Sequence, residues 1–206
     1  MFEPAATAAL MLGLAILGTT RLSTSFVLYG LQAMLLGALA ASVGVEHGDG
    51  ALLVVGSVVV VAKGVGVPVF LSRTAGKIGC QRDTGTVIAP PLQMFLALAM
   101  LAILVLAHPF DGELSHRALP AVGFVMLGML LMITRRLAIS QIVGFLVLEN
   151  GVFLYAIGQP HPMPFVVEIG ALMDVLAGSM LAGILAFKIS RSFEHIDVSR
   201  LTELRG

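Results

Sequence analysis

The stretch Arg135–Gly158, RRLAISQIVGFLVLENGVFLYAIG, constrains this chain most. Two arginines are followed by about twenty mostly apolar residues, enough for a helix to cross a hydrocarbon core of roughly 30 Å. The arginines mark the cytoplasmic end of such a span. Glu149 lies 13 residues beyond Arg136, which at ~1.5 Å per residue places it about 20 Å deep. A carboxylate at that depth costs at least a few kcal/mol unless it is protonated, paired or hydrated. Two readings follow, a proton-relay or ion-pathway residue, and a neutral acid hydrogen-bonded across a helix interface. Asn150 stands beside it in either case.

Composition agrees with a lipid environment. Only 12% of the 206 residues are charged, against about 25% in a soluble domain. Seven apolar runs stand out, at Pro4–Thr20, Ser23–Val43, Ala51–Leu71, Val87–Ala107, Leu119–Thr134, Leu137–Gly158 and Phe165–Ile189. The first and fifth are the shortest. The segments between them alternate in charge. Arg21, Arg73, Lys77, Arg82, Arg135 and Arg136, with Arg191, Arg200 and Arg205 of the tail, fall on one side; Arg117 alone falls on the other. That imbalance puts the N-terminus outside and the C-terminus in the cytoplasm. The expected fold is an all-α polytopic membrane bundle of about seven transmembrane helices, in a prokaryotic cytoplasmic membrane. It divides into a four-helix region, 1–118, and a three-helix region with a cytoplasmic tail, 119–206.

The third run, VVVVAKGVGVPVFL, carries Lys63. Pro68 lacks an N–H to close the bond to the Gly64 carbonyl, so a kink or unwinding is expected there. Lys63 either snorkels to the inner headgroups or faces a polar interior with a carboxylate partner in another helix. In the seventh run, Glu168 lies near the outer surface, in a structural or mouth position. Asp174 is nine residues beyond Phe165, so ~14 Å from that end and at a depth similar to Glu149.

Absences narrow the chemistry. All five histidines are placed in loops or the tail, and one cysteine, Cys80, excludes an intrachain disulfide. There is no CxxC and no phosphate-binding glycine loop. Gly64 and Gly66 lie inside an apolar run and form no nucleotide fingerprint. Neither a cofactor nor a metal is called for, nor is nucleic acid a partner. The polar segment 72–86 reads as a cytoplasmic loop, and the tail from Ser190 as either an amphipathic surface segment or a frayed end. A weak repeat pairs Thr20-Arg21, Gly30 and Gly37 with Thr134-Arg135, Gly144 and Gly151 at equal spacing, which a parallel duplication would explain.

From about Arg135 onward the chain resembles subunit K of the complex I membrane arm and the related C-type subunits of cation antiporters. The matching parts are Arg135-Arg136, Gly144, Glu149, Asn150, Asp174 and the ending HIDVSRLTELRG. The family's first acid lies two residues after the glycine, where this chain has Leu146; Glu149 comes one helical turn later. Seven spans point to the longer relatives, the E-type membrane subunits of hydrogenase-4 and formate hydrogenlyase-type complexes. The resemblance implies a non-catalytic subunit beside antiporter-like subunits and a hydrogenase or related redox module. It would supply an in-membrane polar axis for proton translocation, with Glu149 and Asp174 central, Lys63 coupled to them, and Asn150, Glu168, Arg135 and Arg136 supporting. A structural adaptor and a stand-alone small-solute carrier are the other two classes.

Overall fold

A computed structural model describes residues 2–79, 81–83, 85–107, 113–159 and Gly178. Among these the chain is all helical, with one isolated antiparallel bridge between Arg21 and Arg82 and no strands. The elements are α1 (Phe2–Gly18), α2 (Leu22–His47), α3 (Gly50–Val59), a π-helical segment (Val60–Gly66), α4 (Val67–Ile78), α5 (Pro90–Ala107), α6 (Glu113–Thr134) and α7 (Ala138–Ile157). Four helices are long and apolar enough to cross a membrane: Leu22–His47, Gly50–Lys77, Pro90–Ala107 and Ala138–Ile157. Two shorter apolar helices, Phe2–Gly18 and Ala118–Thr134, correspond to the first and fifth runs, the shortest in the sequence. This is the make-up of a multi-pass membrane protein. The seventh run apart from Gly178, with Glu168 and Asp174, lies outside the described residues, as do Cys80 and the tail.

The helices extend into segments that their polarity assigned to loops. Residues 72–78 continue α4, and α6 begins at Glu113, within the polar segment 108–118. His47 closes α2, its Nδ1 3.0 Å from the Val43 carbonyl, and His116 lies on α6, so neither belongs to a loop. The physical reason is common to all of them: hydropathy marks where lipid ends, whereas backbone hydrogen bonding carries a helix on into the headgroup layer. Between α2 and α3 the turn is tight. Gly48 adopts a left-handed φ of 66°, which suits a residue without a β-carbon. Asp49 then caps α3 by accepting from the amides of Ala51 and Leu52 at 2.9 and 3.2 Å.

Pro68 does not break the third run, and the unwinding expected beside it takes the form of wider helical turns. The helix widens into a π segment over Val60–Gly66, and the Val67 amide reaches the Ala62 carbonyl, five residues back. α2 packs closely along this helix. A β-carbon on Gly37 would lie 2.8 Å from the Gly56 carbonyl oxygen, and one on Gly44 2.7 Å from the Leu53 amide nitrogen. In the second half, Gly144 and Gly151 give α7 the same intimacy with α6, against Gly128 and Ala121. The spaced glycines of the repeat thus meet one packing demand twice, although α2 turns them to the helix that follows and α7 to the helix that precedes.

Burial follows from this arrangement. α2 and α7 are adjacent and central; α7 buries residues around most of its circumference and α2 around about half of it. α3, the π segment and α5 expose large apolar side chains such as Val54, Val58, Val61, Phe95, Ile103 and Leu106. The outside is therefore apolar and the polar residues lie within, the reverse of a soluble domain. At one end three connections converge. The Asp83 amide donates to the Thr20 carbonyl at 2.8 Å, Leu22 to Gln81 at 3.2 Å, and Val87 to Thr134 at 2.9 Å. Arg21, Arg82, Arg135 and Arg136 all belong to these connections, so this end is the basic face.

Candidate functional site

Lys63 and Glu149 form a buried ion pair between the π segment and α7, the Lys63 Nζ bonded to the Glu149 Oε1. Their side chains are 7% and 2% exposed, so the pair is enclosed by protein and the lysine does not snorkel. Helix polarity explains why they meet. Side chains lean toward the N-terminus of their own helix. The helix bearing Lys63 starts at the face opposite the arginines, whereas α7 starts at the basic face. Lys63 therefore leans away from the basic face, and Glu149 leans back toward it. An ammonium and a carboxylate in low dielectric stabilise one another enough to offset much of their desolvation, and removing either alone leaves a buried charge.

Beside the pair, Asn150 donates its Nδ2 hydrogen to Gln32 Oε1 of α2 at 3.1 Å, and Gln32 Nε2 donates to the Ala9 carbonyl of α1 at 3.1 Å. Asn150 is 1% exposed and Gln32 is fully enclosed. α1, α2, the π segment and α7 thus contribute to one polar cluster inside an apolar bundle. Sequence reasoning missed Gln32. Its signal was available, an amide in the middle of YGLQAMLLG, and it went unused because Gln32 carries no charge and, unlike Asn150, has no charged neighbour in the chain.

Arg135 and Arg136 separate in role. Arg135 is buried and its Nη2 donates to the carbonyls of Leu17 and Thr19, both at 2.8 Å. It thereby occupies carbonyl groups that the C-terminus of α1 leaves open. Burial draws its guanidinium below the usual arginine value, and the nearby carboxylate of Asp83 works against that shift. Arg136 passes its side chain over Gly85 at the surface. Asp83 is the second residue sequence reasoning missed. In a loop it reads as solvated, yet the three converging connections leave it 1% exposed. Asp174 and Glu168, expected at and beside this axis, are outside the described residues.

Residues 116–206 match the family model of NADH-ubiquinone/plastoquinone oxidoreductase chain 4L. The chain is 27% identical over 191 residues to hydrogenase-4 component E of Escherichia coli (strain K12), covering 90% of this chain and 88% of the relative. The same protein of Shigella flexneri matches equally well. An uncharacterized protein of Mycobacterium tuberculosis is 29% identical over 168 residues, 79% of this chain and 76% of the relative. No solved structure matches significantly. The chain is accordingly a homologue of hydrogenase-4 component E whose C-terminal region matches chain 4L, the complex I subunit K.

Proposed function

We propose that this chain is a membrane-arm subunit of a respiratory hydrogenase or complex-I-like assembly in a prokaryotic cytoplasmic membrane. It contributes part of a proton path while other subunits carry out the redox chemistry. It spans the membrane seven times, with the N-terminus outside and the basic face in the cytoplasm. The observation that carries this reading is the enclosed Lys63–Glu149 pair, which joins the two halves of the chain at membrane depth. A pair confined to holding helices together would be exceptional there, because apolar packing does the same without desolvation. Protonation of Glu149 would leave the Lys63 ammonium without a counter-charge, so a charge arriving nearby shifts both groups together. Each proton crossing is worth ~2.3 kcal/mol per 100 mV, which such a coupled pair would exchange with the driving reaction.

Asp174 is proposed as the second acid of the axis, with Glu168 at its outer mouth. Antiporter-like subunits and a hydrogenase or related redox module are the proposed partners, as the name of the component E relatives and the chain 4L match suggest. The test is Glu149→Gln in the complete complex, which keeps shape and hydrogen bonding and removes the titratable proton. The complex is expected to assemble, with proton coupling impaired, and Asp174→Asn to act in the same direction. Parental pumping by the assembled double variant would leave a structural adaptor as the reading.

A further inference from the structure

Where α1, α2, α6 and α7 meet the basic-face connections, Thr19, Ser25, Asp83, Arg135 and Ser140 line a cavity of about 10 Å³. That is close to the smallest space that holds one water molecule. Two enclosed side chains present polar atoms without hydrogen-bond partners among the described residues. They are Asp83, with both carboxylate oxygens, and Ser140, with its hydroxyl. A water needs two to four polar partners, and these groups supply them. Arg135 does not donate to Asp83 in this arrangement: its Nη2 is directed to the Leu17 and Thr19 carbonyls, and both Asp83 oxygens lack a hydrogen-bond partner among the described residues. Its charge nevertheless disfavours a metal cation at the same place.

From this cavity a polar stripe runs inward along α2. Ser25, Tyr29 and Gln32 are spaced four and three residues apart, hence on one helix face, and all three are buried. The stripe climbs ~10 Å and ends at Gln32, which is bonded to Asn150, the neighbour of Glu149. We infer that Asp83 and the water site it shares with Ser140 form the basic-face entry of the proton path, and that the Ser25–Tyr29–Gln32 stripe leads from it to the Lys63–Glu149 pair. This rests on the proton-path reading above and names its entrance.

In the transfer, a proton that enters from the basic face is held on the Asp83 carboxylate, which becomes a neutral acid. It releases that proton to the cavity water and returns to carboxylate. The hydroxyls of Ser25 and Tyr29 each accept one proton as they give up another. From Tyr29 an intervening water takes the proton and gives one up to the Glu149 carboxylate, which becomes neutral beside the Lys63 ammonium. Gln32 transfers nothing; it holds Asn150 and orients the inner end of the route. Only O–H bonds form and break, and no oxidant or reductant is consumed.

The competing role for Asp83 is to be a fixed counter-charge for Arg135. The two are separated in sealed inverted vesicles containing the complete complex, by measuring proton uptake per redox turnover together with co-purification of the subunits. Asp83→Asn is expected to lower uptake by about a hundredfold, the lower end of what losing an acid–base group does, and Asp83→Glu to restore it. Ser140→Val fills the water site without altering any charge, and it is expected to lower uptake as well. A loss in Asp83→Asn that Ser140→Val does not share assigns Asp83 to Arg135 and overturns the entry. Should the Asp83 variants fail to assemble, Ser140→Val decides alone, and parental uptake in it overturns the entry. Glu149→Gln is measured in parallel. If it blocks uptake while assembled Asp83→Asn and Ser140→Val do not, the entry is wrong and the path stands. If all three pump at the parental rate, both fall.

Discussion

Gly30 lies so close to the Gly64 carbonyl that a β-carbon on it would stand 2.7 Å from that oxygen, and 2.9 Å from the Pro68 ring. The carbonyl concerned is the one to which Pro68 has no N–H to donate. α2 therefore stays in close contact with the third-run helix where the backbone ladder is altered, and this contact helps seat Lys63 beside α7.

Gly30→Ala and Gly37→Ala should each destabilise the protein by about 1–3 kcal/mol, the usual effect of overpacking against groups that cannot yield. Gly76→Ala provides the control, because nothing lies within 4 Å of a β-carbon there. Thermal unfolding in detergent should give clearly lower midpoints for the first two variants and an unchanged or slightly raised one for Gly76→Ala. Equal midpoints in all three would refute the close packing of α2.

For the ion pair, Lys63→Met or Glu149→Leu alone should cost about 3–5 kcal/mol, since each strands a buried charge. The double variant should recover most of that stability, yet not proton coupling. A double-mutant cycle on unfolding checks the first statement and vesicle pumping the second. Additive losses would mean that the two groups do not meet.

Gln32→Leu removes the acceptor of Asn150 and should cost about 1–3 kcal/mol. Gln32→Leu with Asn150→Leu removes both ends of that bond and should be milder than the sum of its parts. Unfolding midpoints of the two single variants and the double variant decide it.

Arg135→Lys should be poorly tolerated despite keeping its charge, because one ammonium cannot reproduce the planar donor that serves the Leu17 and Thr19 carbonyls. Arg136→Lys should be close to neutral. The yield of folded protein after detergent extraction separates them, with a difference of about 1 kcal/mol or more expected for one additional lost hydrogen bond.

The orientation is open to the chain's sole cysteine, Cys80. It should resist an impermeant thiol reagent added to sealed right-side-out cells and react in inverted vesicles. Labelling in the intact cells would reverse the assignment of inside and outside.

Hydrophobic run length made the helices legible, and the charge alternation grouped the connections that the structure gathers at one end. Lys63 and Glu149 drew notice for the same reason, since an ionised group inside an apolar run is costly wherever it points. A carboxylate partner for Lys63 was legible, but which carboxylate it meets was not, because that depends on how two antiparallel helices lean and on the close seating of α2. Gln32 and Ser140 carry no charge to make them stand out, and Asp83 was disguised by its polar neighbours. The ends of α4 and α6 were set too short for another reason, as helical hydrogen bonding does not stop where apolar side chains do.

The π segment has a further consequence, for register. Its wide turns take in extra residues, each of which in an α-helix would rotate the following side chains by about 100°. α4 therefore leaves the bundle's midplane out of phase with α3, although the two read as one continuous apolar run. Removing one residue between Val60 and Gly66 would act less like a local defect than like turning a key. The helix could stay intact while Lys63 and the residues around it were carried past the positions they now share with α2 and α7.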